Sequence, residues 1–209
     1  MASRMMHLAV TYSLAESCDV KDRERFFLGS VIPDSAPKAV SHYYKYFDSG
    51  RRKTYDLPAF REHYSDFLGD SLYLGYYMHL IQDLVFRDHL YHTVGYVPTN
   101  EKVVQLHRDY ELLNRYICKK YRIESLPAVP ADIGSELIVK ELSLDVRGFI
   151  RDMSRDLTEQ PQGEPVFYTA SVAEKYFSRA LAACRTELSA LDGKGEHTDE
   201  KRFSWLRHD

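Results

Sequence analysis

The sequence predicts an all-α protein built as one helical bundle domain, with an irregular segment around residues 31–55. Three observations predict it. One stretch, Leu72 to about His92, is apolar on most sides, as central buried helices are. The stretches flanking it carry a single apolar stripe at three- and four-residue steps. Helix-start signals stand in front of several of them. The 209 residues suit a single domain, and a 44% hydrophobic content is enough to bury a core.

Taken in order, the first helix carries His7 among Met6, Leu8, Ala9 and Val10. Residues 31–55 are irregular, with a short hairpin around Tyr43 to Tyr55. Asp56-Leu-Pro-Ala reads as a helix start, Asp56 as the cap and Pro58 in the first turn, running to Leu68 and stopping near Gly69. Leu72, Tyr76, Tyr77, Leu80, Ile81, Leu84 and Val85 make up the central helix. From Glu101 to Lys120, Val103, Leu106, Tyr110, Leu113 and Ile117 form a clean stripe. Pro127 to Pro130 is a break, Ile133 to Ile150 resumes helical period, and Gln160 to Pro165 is a loop. Ser171-Val-Ala-Glu174 has the spacing of a capping box opening a last helix. The domain is expected over residues 1–190, and residues 191–209, charged and glycine-containing, are expected to be loose.

Composition excludes some functions. A net charge of −3 gives no electrostatic reason to expect nucleic acid. Cys18, Cys118 and Cys184 are odd in number and lack CxxC spacing, so reduced thiols are expected rather than disulfides or a sulfur-ligated metal. No signal sequence and no stretch near the ~20 apolar residues of a membrane span is visible, so the expected location is the cytoplasm. The 16 Tyr against one Trp favour cores bordering polar pockets, because Tyr buries a ring yet keeps a hydroxyl.

The chemistry concentrates on histidines and carboxylates. His79 and Asp83 lie four apart on the central helix, hence on one face. An ionisable pair there is costly unless hydrogen-bonded or metal-bound, so either a structural pair or a ligand pair is open. His107 and Glu111 repeat the spacing at the edge of a stripe, where an exposed weak contact is the alternative. His89 can join only if its helix ends or bends near Arg87. Asp34, directly after Pro33, is placed by a stiff turn at the core edge, and His42 follows it.

The order His7-Leu, Leu28-Gly-Ser-Val-Ile-Pro-Asp34, Ser41-His42 and Gly75-Tyr-Tyr-Met-His79-Leu-Ile-Gln-Asp83 resembles the zinc-dependent phospholipase C family, over about the first half of the chain. His89 and His107-x-x-x-Glu111 extend it. The resemblance implies an all-helical fold and a site for one to three divalent ions, zinc in the family. His42, His79 and Asp83 would hold one ion, Asp83 bridging to another at His7. Asp34 would sit beside them as a ligand and as the catalytic group for water, with His89, His107 and Glu111 forming the remaining site. The activity implied is hydrolysis of a small phosphate ester. The family's processed N-terminal amine ligand is expected to be missing, because six residues precede His7. Arg51, Arg52, Lys53 and Arg87 are the basic residues that could meet a phosphate, with a solvated loop as the alternative for the first three. Two alternatives stand beside this reading. One is an HD-type nucleotide phosphohydrolase, whose adjacent pair could only be His208-Asp209. The other is a non-catalytic binding protein that kept the fold.

Overall fold

The computed structural model describes residues 2–206. It is mostly helical, as expected. Helix α1 (Arg4–Ser17) starts behind Ser3, whose hydroxyl accepts from the Met6 N–H. Helix α2 (Arg23–Gly29) is capped by Asp22. A 3-10 turn (Ile32–Ser35) with Pro33 in its first turn and the one-turn α3 (Lys38–Ser41) lead to the hairpin β1 (Tyr44–Phe47) and β2 (Arg52–Tyr55). Its strands pair antiparallel from Tyr44↔Tyr55 to Phe47↔Arg52. The connecting turn holds Asp48, Ser49 and Gly50 at positive φ, which short polar residues and glycine tolerate.

Asp56 caps α4 (Leu57–His63), as the sequence indicates. The central helix α5 (Ser71–Asp88) begins behind Asp70 and gives way to one π-helical turn over His89–Thr93. Helix α6 (Asn100–Tyr121) starts at the Thr99 cap and ends on left-handed Arg122. The stretch from Ile133 is not one helix. It breaks into a 3-10 turn (Ile133–Ser135), α7 (Leu137–Glu141), α8 (Val146–Met153) and α9 (Arg155–Thr158). Ser143 at φ 51° supplies one break, since a non-glycine residue there leaves helical geometry. The last helix α10 (Ala170–Leu191) is capped by Thr169 rather than by the Ser171 box, the Thr169 hydroxyl accepting from Val172 N–H.

The segment after residue 191 is not loose where it is described. It forms a 3-10 turn (Glu200–Phe203) and strand β3 (Trp205–Leu206), which pairs antiparallel with β2 and extends the hairpin to three strands. Side chains anchor it: Thr54 Oγ1 donates to the Glu200 carbonyl, and Arg52 donates to Ser204 Oγ and its carbonyl. Charge and glycine content therefore misreport this segment, because its order comes from partners distant in sequence. The His208-Asp209 pair lies outside the described residues.

Helix α5 is the core, with Leu72 through Phe86 buried at nearly every position. It meets α2 at unusually close range. A Cβ at Gly75 would lie 2.2 Å from the Phe26 carbonyl oxygen, and one at Gly29 would lie 2.1 Å from that of Leu72. Only glycine permits this backbone-to-backbone contact. The tyrosines behave as expected: Tyr55, Tyr76, Tyr77 and Tyr176 are fully buried, each with its hydroxyl donating to an acceptor. The three cysteines are free. No helix among the described residues is long and apolar enough to cross a membrane.

Candidate metal centre

The contact between α2 and α5 sets the site. It brings the Ser30 carbonyl, just past α2, to 2.9 Å from His79 Nδ1, one turn beyond Gly75. The carbonyl can only accept, so Nδ1 carries the proton and Nε2 presents a lone pair. His7 is fixed likewise: its Nδ1 lies 3.0 Å from Gln82 Oε1, while Gln82 donates its amide to Thr11 Oγ1. His42, following α3, has Nδ1 2.8 Å from Ser41 Oγ. Three imidazoles thus direct Nε2 into one volume.

The carboxylates close it. Asp83 lies with Oδ1 3.4 Å from His7 Nε2 and Oδ2 3.4 Å from His42 Nε2. Asp34 Oδ1 lies 3.5 Å from His42 Nε2 and 3.8 Å from His79 Nε2. The His7 and His79 rings stack at 4.0 Å. All five side chains are buried, Asp34 at 3% exposure and the others at 0%. Their donor atoms form two compact sets, His7/His79/Asp83 and Asp34/His42/His79, each within 4.8 Å and sharing His79.

Protonation states suit cation binding. Burial, helped by the nearby His7, pushes His79 down to about 3, so its ring is neutral. Burial would raise Asp34 and Asp83. The His79 and His42 rings instead hold Asp34 below the ordinary carboxylate range, and the imidazoles around Asp83 do the same for it. Both Asp34 oxygens and His7 Nε2 are buried with no hydrogen-bond partner. Leaving such atoms unpaired costs roughly 1–3 kcal/mol each. His42 Nε2 and His79 Nε2 lie 3.2 Å apart, facing the same volume. A cation among these atoms would partner the Asp34 oxygens and His7 Nε2. The donors are nitrogen and oxygen without thiolate, which fits zinc.

The remaining sequence candidates are not drawn into the cluster. The α5 helix does end at Asp88, but the π turn aims His89 at α10, with Nε2 3.2 Å from the Val172 carbonyl and Arg179 donating to Nδ1. His107 and Glu111 are exposed on α6, Glu111 paired with Arg108. They line, with Asp34, Tyr110, Asn114 and Arg4, a cleft of about 300 Å³. Asp34 is the residue common to cleft and cluster. Among the basic candidates, Arg52 is tied to Ser204, Lys53 lies over the Tyr44 ring, and Arg87 lies against Tyr91 and Trp205 with its Nε unpartnered.

Sequence reasoning missed several residues at the centre. The Ala2 N–H donates to Asp83 Oδ1 at 2.9 Å, so the residues before His7 do reach the site. Tyr55 OH donates to Asp83 Oδ2. Lys38 is drawn toward Asp83 and Asp34, while burial pushes its ammonium down to about 8. Gln82 could have been found, being a polar residue beside Asp83 in the buried stretch of a mostly apolar helix.

A helical fold with two sets of buried imidazoles and carboxylates able to hold a cation, joined to a cleft at Asp34, defines a nitrogen- and oxygen-ligated metal protein. The chain belongs to the zinc dependent phospholipase C family, whose signature spans residues 6–158 and so covers every candidate ligand. Neither the curated proteins nor the solved structures give a significant match. Family membership replaces the HD-type alternative, and the five clustered residues include no adjacent His-Asp pair.

Proposed function

We propose that the protein is a zinc-dependent phosphoesterase acting on a small phosphate ester. The observation that carries this reading is the position of Asp34, a cluster residue that lines the cleft and whose two buried oxygens lack hydrogen-bond partners. A carboxylate held ionised there can accept a proton from a water entering the cleft and orient it. His7, His42, His79 and Asp83 would hold zinc, with Asp83 offering one oxygen toward His7 and the other toward His42. Zinc, when bound, supplies Lewis acidity for the phosphoryl oxygens and lowers the pKa of water. The fixed Nδ1–H bonds of His7 and His79 keep their Nε2 atoms available without reorganisation. His107 and Glu111, across the cleft, would contact the substrate or a further ion.

The chemistry needs no protein nucleophile. The test is turnover of an aryl phosphate ester with and without chelator, in wild type and Asp34→Asn. Activity that is lost on chelation, restored by zinc and absent from a zinc-loaded Asp34→Asn variant supports the reading. Zinc-loaded wild type that turns over neither phosphomonoesters nor phosphodiesters would leave the binding-protein alternative in its place.

A further inference from the structure

Asp83 is held by two donors from separate parts of the chain. The Ala2 N–H reaches Oδ1 at 2.9 Å and the Tyr55 hydroxyl reaches Oδ2 at 3.1 Å. Each oxygen also faces a different imidazole, His7 or His42, at 3.4 Å. The carboxylate can rotate about its Cβ–Cγ bond unless both oxygens are fixed. With both fixed, one oxygen is aimed at each imidazole.

Tyr55 is itself held on both sides. Its ring stacks on Tyr44, its β1 partner, at 5.6 Å and meets Trp205 of β3 edge-on at 5.2 Å. Trp205 is 3% exposed, and the Arg87 guanidinium lies over its indole, 5.2 Å from the ring centroid. Strand β3 has only two residues and could not persist alone. It is kept in place by the Arg52 bonds to Ser204 and the Thr54 bond to Glu200.

Aromatic packing accounts for a ring at position 55 but not for its hydroxyl. A phenylalanine would fill the same volume without burying a polar group. A fully buried hydroxyl whose acceptor is an ionised carboxylate is the arrangement that orients metal ligands elsewhere in proteins.

We propose that Tyr55 is a positioning residue for the Asp83 carboxylate, and that the C-terminal segment holds Tyr55 in place through Trp205. The inference rests on the reading of Asp83 as a metal ligand. It makes residues 200–205, which contribute no ligand, part of the metal centre's support.

The experiment measures zinc affinity by chelator competition and the visible spectrum of the cobalt(II)-substituted protein. It uses wild type, Tyr55→Phe, Trp205→Phe, Trp205→Ala and the double variant Tyr55→Phe/Trp205→Ala, with the melting temperature of each metal-free protein recorded. Tyr55→Phe is expected to stay folded with a lower metal-free melting temperature, because a buried carboxylate oxygen loses its donor, to lose roughly 10- to 100-fold in zinc affinity and to shift the cobalt bands. Trp205→Ala is expected to lose affinity too, and to add little once Tyr55 is Phe. Trp205→Phe, which keeps an aromatic contact, is expected to stay near wild type and guards against simple unfolding of the alanine variant. Wild-type affinity and spectrum in Tyr55→Phe would overturn the inference while leaving the metal site intact. So would fully additive losses in the double variant. Wild type that takes up neither zinc nor cobalt would overturn the site reading, and this inference with it.

Discussion

His79 Nδ1 and the Ser30 carbonyl oxygen meet at 2.9 Å because the glycines of two helices let their backbones touch. The bond orients an imidazole toward the cluster, so the packing of α2 on α5 and the ligand geometry are one feature. Gly75→Ala would place a methyl group 2.2 Å from the Phe26 carbonyl oxygen. Helices that must separate to admit it lose about 1–3 kcal/mol of stability. They should also lose zinc affinity through His79. Denaturant unfolding and zinc titration on the same variant check this. Lower stability with unchanged affinity would show that the two are independent.

Asp34 separates folding from function. In the metal-free protein its buried oxygens lack hydrogen-bond partners while the His79 and His42 rings hold it ionised, and because these effects oppose, Asp34→Asn should change metal-free stability little. Turnover should fall by on the order of 10²- to 10⁴-fold, the usual contribution of a positioned acid or base. Asp83→Asn should behave differently, losing zinc stoichiometry, because the amide lacks the charge that faces His7 and His42. Zinc content and rate measured on both variants distinguish the two roles.

Glu187 gives the fold an acid sensitivity that lies away from the metal centre. Fully buried on α10, it accepts from Tyr77, His197 and the Thr198 N–H. Burial alone would raise its pKa, yet these bonds lower it below the ordinary value of 4.5. A lowered folded-state pKa gives stability that is complete above the unfolded value and lost as pH falls through the folded one. Glu187→Gln should therefore cost stability at pH 7 and progressively less below about pH 4.5. Urea midpoints of both proteins across that range check it, and a cost that grows toward acid would contradict it.

Zinc should stabilise the protein by mass action. At a free concentration 100 times the dissociation constant the gain is about 2.7 kcal/mol, visible as a higher melting temperature that chelator reverses. The gain should vanish in His7→Ala, which removes one ligand of the set shared with His79 and Asp83.

Much of the centre was legible in the chain because its residues obey local rules. His79 and Asp83 share a helix face by spacing, Asp34 follows a proline that stiffens its turn, and the order of the motifs supplied His7 and His42. His89 was misplaced because its direction is set by the Val172 carbonyl and Arg179 on α10, more than eighty residues away. His107 and Glu111 keep the i,i+4 spacing, but α6 sets them at the cleft rim rather than among the buried donors. Tyr55 and Trp205 were invisible for the same reason. One of 16 tyrosines carries no mark of its acceptor, and a charged tail gives no sign of the strand it joins. Periodicity reports which face of a helix is buried and not what lies opposite that face.

Zinc is expected among His7, Asp34, His42, His79 and Asp83. Anomalous scattering at the zinc edge, from crystals of protein purified without chelator, locates it. At least one peak is predicted within bonding distance of His79 Nε2, the atom common to both donor sets. No peak at that position, or zinc found only on surface carboxylates, would contradict the account.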